Sequence, residues 1–135
     1  MGHFRLPTVV TSGAVASGST LHVSGPTSNL MHTNFNERIS GVAVSPANYV
    51  VAWEQFYKHG GCASTFAAES ARSFFPRTWG LTTWLARPVS AGQHYSVVAA
   101  FGAQNLGTHG MCAYLINLAS GRTYAYGQIW WNNHN

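Results

Sequence analysis

Ser45-Pro46-Ala47-Asn48-Tyr49-Val50-Val51-Ala52-Trp53-Glu54-Gln55-Phe56-Tyr57-Lys58 is the stretch whose reading decides the fold. Serine is a good helix N-cap, and proline is favoured at the first helical position. Tyr49, Trp53 and Phe56 fall at i, i+4 and i+7, with Val50 beside them. Gly60-Gly61 closes the run as a helix C-cap does. The spacing and the caps predict a helix over 46–58. The rival is a strand, because Tyr49-Val50-Val51-Ala52-Trp53 is made of strand-favouring residues. The two caps decide for the helix.

A second helix is predicted to follow. Ala63, Phe66, Ala67, Ala71 and Phe74 sit at i, i+3, i+4, i+8 and i+11, and Thr65, Glu69, Arg72 and Ser73 occupy much of the other face. Glu69 and Arg72 are spaced for a helical ion pair. Pro76 stops the run. The period then changes. Tyr95 to Phe101 is strand-like, and Met111 to Leu118 and Thr123 to Trp131 flank Ser120-Gly121, a hairpin turn. Upstream, residues 1–44 read as irregular strand and turn wrapped around the body, with a short strand at Thr20 to Val23 and a loop at Asn34-Phe35-Asn36-Glu37. The expected architecture is α+β: a single domain over 1–135, with two short helices packed on an antiparallel sheet in its 45–135 body.

Composition limits the chemistry. At 135 residues and 46% hydrophobic, the chain can bury a core without metal or disulfide staples. Charged residues make up 7%, far below the usual quarter, which suits an extracellular, cell-surface or assembly-bound protein. There is no aspartate, and the only carboxylate side chains are Glu37, Glu54 and Glu69. A Ser-His-Asp triad is excluded, a two-carboxylate glycosidase needs a pair of these three, and clustered hard-cation sites lack ligands. No metal or cofactor is expected. The net charge of +4 comes from seven scattered Lys and Arg. It favours an anionic partner such as a cell-wall or peptide substrate, with no basic run for nucleic acid. No run of 18 apolar residues exists, so no membrane span is expected, and Met1 to Val10 has no signal-peptide core.

Two cysteines, Cys62 and Cys112, permit one disulfide without requiring it. They sit in an internal echo: His59-Gly60-Gly61-Cys62-Ala63 returns as His109-Gly110-Met111-Cys112-Ala113. Cys62 is the stronger nucleophile candidate, because two glycines precede it and a helix is predicted to follow. The positive end of a helix dipole and open N–H groups lower a thiol pKa and can hold an oxyanion. His109, at the head of a predicted strand, is the candidate base; His59 is the other histidine in range. A Ser120-Gly121 turn pairs Ala119 with Arg122 and sets His109 opposite Asn132, with Gln128 on the same face. An amide there would hold the imidazole in one tautomer. Cys112 then points away from His109.

This order of elements resembles the papain-like cell-wall cysteine hydrolases, the NlpC/P60 and CHAP group. The stretches that carry the resemblance, which covers roughly 45–135, run from Gly61-Cys62-Ala63-Ser64-Thr65-Phe66-Ala67-Ala68 through Phe75-Pro76-Arg77-Thr78-Trp79-Gly80 with Trp84 and Ser96 to Phe101. They end in His109-Gly110-Met111-Cys112-Ala113-Tyr114-Leu115. The resemblance implies a secreted thiol peptidase or amidase acting on peptidoglycan. Cys62 attacks, His109 is base then acid, and Gln128 or Asn132 orients it. His59, Gly61, Trp79, Trp84 and Trp130 would line the substrate cleft. Gly61 departs from the polar or acidic residue usual before the family's cysteine.

The chain closes on Trp130-Trp131-Asn132-Asn133-His134-Asn135. Tryptophan faces beside amides suit sugar rings, and strand alternation puts the two tryptophans on opposite sides. The alternatives to a hydrolase are therefore a non-catalytic carbohydrate- or surface-binding module, and a structural subunit of a coat or virion.

Overall fold

The computed structural model describes residues 18–57, 61–72, 77–83, 86–89, 92–102 and 105–135, the side chains of 57, 77–83 and 86–89 excepted. Nine strands and one helix are formed among them: β1 (His22–Ser24), β2 (Ser28–Leu30), β3 (Phe35–Ala43), β4 (Ala47–Tyr57), α1 (Phe66–Ala71), β5 (Arg77–Thr83), β6 (Ala86–Val89), β7 (Gln93–Phe101), β8 (Gly107–Asn117) and β9 (Thr123–His134).

The deciding stretch is a strand. Residues 49–56 are buried without interruption, because β4 is central in its sheet and both its faces are covered: Tyr49, Val51 and Trp53 enter one apolar cluster, and Val50, Ala52 and Phe56 enter another on the opposite face. A strand covered on both faces shows no polar alternation, and its apolar residues fall at helical spacings by accident. Pro46 does not open a helix; the Ser45 carbonyl accepts the Tyr49 hydroxyl at 2.7 Å. The loop expected at Asn34 to Glu37 is instead the start of β3, which pairs with β7 from Phe35↔Phe101 onward.

The strands make two sheets. A three-stranded sheet runs β1-β3-β7, and a larger one runs β2-β9-β8-β4-β5 with β6 also on β4. β2 joins β9 in parallel; the other pairs are antiparallel. The inner faces share one core: Ile39, Ala43, Tyr95, Ala99 and Phe101 from the small sheet, and Tyr49, Val51, Trp53, Met111, Ala113, Leu115 and Trp131 from the large one. Trp131 anchors one end, with Phe35 and Phe101 rings at 5.2 and 5.0 Å. This is a β-sandwich, not two helices on a sheet, and the α+β papain-like expectation is corrected on that ground.

The second predicted helix shrinks to α1. Its start is delayed because the backbone groups of 61–63 bind side chains rather than a helical ladder. Cys62 N–H donates to Gln128 Oε1 at 3.0 Å and Ala63 N–H to Glu69 Oε1 at 2.8 Å. Arg72 and Tyr114 donate to the Gly61 and Ala63 carbonyls at 2.9 and 2.8 Å. Thr65 is the N-cap, accepting Ala68 N–H, and Arg72 is already extended at the far end. Glu69 and Arg72 pair at 3.0 Å.

Segment 61–72 lies on the outer face of the large sheet. Cys62 and Phe66 pack against a second, smaller cluster of Val50, Ala52, Phe56, Cys112, Tyr114 and Ile116. Thr123 Oγ1 accepts Phe66 N–H at 2.8 Å and ties the segment to β9.

Candidate functional site

The hairpin register governs where the predicted site residues go. Asn117, not Ala119, is the last residue before the turn. Its N–H reaches the Arg122 carbonyl at 2.9 Å, and its Oδ1 accepts the N–H groups of Ala119 and Ser120. Gly121 takes the left-handed conformation, φ 74°, that this longer turn needs. One residue later the register shifts between Leu115 and Ile116, where Leu115 faces Ala125 and Ile116 faces Thr123. Tyr124 is the extra residue, and such a bulge reverses the facing of everything beyond it.

His109 therefore sits opposite Trp131, not Asn132, and Gln128 sits opposite Cys112. His109 is buried on the inner face, stacked on Trp131 with centroids 6.0 Å apart. Its Nε2–H donates to the Asn105 carbonyl at 2.7 Å. Burial lowers its pKa; the Asn105 hydrogen bond works the other way. Gln128 and Asn132 belong to the outer face. Cys112 does point away from His109, and that separates Cys62 from His109 too, because the two sulfurs are bonded: Cys62–Cys112 is a disulfide with Cα atoms 5.9 Å apart.

The structure thus gathers Cys62, Cys112 and Gln128 on one face and leaves His109 on the other. Cys62 has no thiolate to offer while oxidised, and it lies three residues before the cap of a six-residue helix. The cysteine peptidase and hydrolase reading is corrected accordingly. Gly61 is exposed beside Gln128. His59 and Trp84 lie outside the described residues; Trp79 is on β5, its side chain outside them.

The outer face of β9 presents Tyr126, Gln128, Trp130 and Asn132 in one row. Tyr126 is 41% exposed and stacks on Tyr114, centroids 6.2 Å apart. Trp130 is half-buried, edge-on to Phe56 at 5.2 Å, and lies over Gly110. A Cβ on Gly110 would come within 2.7 Å of the Trp130 ring, so glycine there sets the depth at which that indole rests. Gln128 and Asn132 are exposed between and beyond the rings. Tyr126 was not singled out in the sequence, because its facing depends on the bulge at Tyr124.

Elsewhere, β1 and β3 border a groove of about 270 Å³ lined by Ser24, Gly25, Asn36, Glu37, Arg38 and Val98. Glu37 is fully buried, and neither of its oxygens meets a hydrogen-bond donor among the described residues. Burial raises its carboxyl to about 7. Gly25 covers it so closely that any side chain there would strike Glu37 Oε1.

No family model matches the chain, and no curated protein matches it. Among solved structures it is similar to a CARDB domain from Pyrococcus furiosus, crystallised in complex with di-metal ions. The TM-score is 0.54 and the identity 6%, over 85% of this chain and 91% of that one. At that identity the likeness concerns the fold alone. It is a likeness to a β-sandwich, and it overturns the resemblance to papain-like hydrolases.

Proposed function

We propose that this chain is a non-catalytic binding module, and that the outer row of β9 takes a neutral carbohydrate. The observation that carries the reading is the row itself: Tyr126, Gln128, Trp130 and Asn132 alternate aromatic ring and amide along one face. Residues two apart on a strand are about 6.8 Å apart, so the row spans about 20 Å, room for several sugar rings. Aromatic faces stack on the apolar faces of sugars, and amides bond hydroxyls. The row holds no charged residue, which favours a neutral chain over an acidic one. Gln128 Oε1 already accepts Cys62 N–H, so its NH₂ is what remains for a ligand. The β-sandwich neighbour agrees with a binding role in fold class, and the bonded Cys62 agrees with the absence of thiol chemistry.

Pull-down on insoluble cellulose, chitin and starch tests this. The wild-type chain should bind at least one. Tyr126→Ala and Asn132→Ala, both at exposed positions, should weaken that binding about tenfold while leaving the melting temperature within a few degrees. Absence of wild-type binding to all three, or full binding by both variants, overturns the reading.

A further inference from the structure

Beneath segment 61–72, the outer face holds a set of donors that carbohydrate binding does not use. Cys112 Sγ, a Glu54 oxygen and a Glu69 oxygen all lie within 4.8 Å of one another, and all three residues are buried. Cys62 Sγ is joined to Cys112 and so stands at the same place. The chain has three glutamates and two cysteines in all. Four of those five residues meet here.

We propose that reduction of the Cys62–Cys112 disulfide turns this cluster into a Zn²⁺ site, with Cys62, Cys112, Glu54 and Glu69 as ligands. In the reduction, the disulfide takes two electrons and two protons from a dithiol, whose own two thiols become a disulfide. The freed Cys62 and Cys112 thiols then give up their protons as their thiolates bind the metal. Tetrahedral Zn²⁺ holds sulfur at about 2.3 Å and carboxylate oxygen at about 2.0–2.2 Å, which puts neighbouring ligand atoms about 3.5 Å apart. The carboxylate and Cys112 donors, at most 4.8 Å apart, need to close by no more than about 1.3 Å to reach that spacing.

Cys62 must instead move away from its partner sulfur. It sits in the coil before α1, where the hydrogen bonds of residues 61–63 run to side chains and not to a strand ladder. Thiolate donors select Zn²⁺ over Ca²⁺ and Mg²⁺, which take oxygen sets. Arg72, 3.0 Å from Glu69, offsets part of the negative charge that four anionic ligands leave on a divalent ion. Oxidised, the site is closed by its own sulfur–sulfur bond. The metal and the disulfide are then alternative clasps for one segment, exchanged by redox state.

The test uses the full chain, reduced with dithiothreitol and desalted without oxygen, and Co²⁺ as a spectroscopic probe. The reduced chain should bind one Co²⁺ with a strong near-ultraviolet thiolate-to-cobalt band that Zn²⁺ displaces. The oxidised chain should show no such band. Glu54→Gln and Glu69→Gln should each keep the band and weaken binding about tenfold or more. An arm without variants guards against misfolding: Zn²⁺ should raise the melting temperature of the reduced wild-type chain and leave the oxidised chain unmoved. Absence of the band from the reduced chain, equal Zn²⁺ shifts in both redox states, or undiminished binding by both folded glutamine variants overturns the proposal.

Discussion

The large sheet has two unlike faces. Its inner face packs on a second sheet through a continuous set of aromatic and aliphatic side chains with Trp131 at one end. Its outer face carries a smaller cluster, roofed by the short segment 61–72. The roof is held by a disulfide, a ring of side-chain-to-backbone hydrogen bonds and the Thr65 cap. The inner face is held by area, the outer face by particular bonds. Their carboxylates follow the same division. Glu69 on the outer face accepts Ala63 N–H and Arg72. Glu37, buried in β3 of the facing sheet, is held near neutral pKa by burial. A face held by area loses stability in proportion to the atoms removed, and a face held by a few bonds fails when one bond is cut.

The adjacent tryptophans test that difference most strongly. Trp131→Ala should cost about 3–5 kcal/mol in urea denaturation, because it empties the inner core beside Phe35, Phe101 and His109. Trp130→Ala should cost about 1–2 kcal/mol, since its indole is half-buried. Equal losses would break the contrast between the faces.

Replacing both cysteines with alanine removes a link between residues 50 apart, worth about 4 kcal/mol by loop-closure entropy. The loss should be local at first. Hydrogen exchange should quicken in 61–72 while the β8–β4 ladder keeps its protection. Uniform loss of protection would show that the two faces melt together.

A pH dependence separates the two carboxylates. The Glu37 carboxyl is raised from 4.5 to about 7 in the folded chain. Between these values the unfolded chain has lost the proton that the folded chain keeps. Stability from this group is full below about pH 4.5 and falls as pH rises through 7, by about 3 kcal/mol in total. Glu37→Gln should flatten that slope, matching the wild type near pH 4 and exceeding it near pH 8. An unchanged slope in the variant would remove Glu37 as its source.

The strands over Tyr95 to Phe101, Met111 to Leu118 and Thr123 to Trp131 were legible because each carries strand-favouring residues bounded by turn residues. Ala47 to Tyr57 was misread because burial on both faces erases the alternation that marks a strand. The nucleophile reading of Cys62 rested on that misread helix pair and on a two-residue turn. Asn117 accepting two N–H groups lengthened the turn, and the bulge at Tyr124 moved the register back by one. Together they put His109 in the core and Gln128 beside the disulfide. An even cysteine count was the available signal for Cys62–Cys112, and it allowed the bond without locating it.

By itself, then, the sequence determined the chemical inventory: three glutamates, no aspartate, two cysteines, a neutral aromatic tail and a hairpin near its end. It also determined that Trp130 and Trp131 face opposite ways, since adjacent strand residues must. Only the tertiary structure decided which way each faces, that β4 is a strand, and that Cys62 meets Cys112. Those outcomes depend on which sheet covers which face and on a one-residue register, and both are set by contacts between residues far apart in the chain.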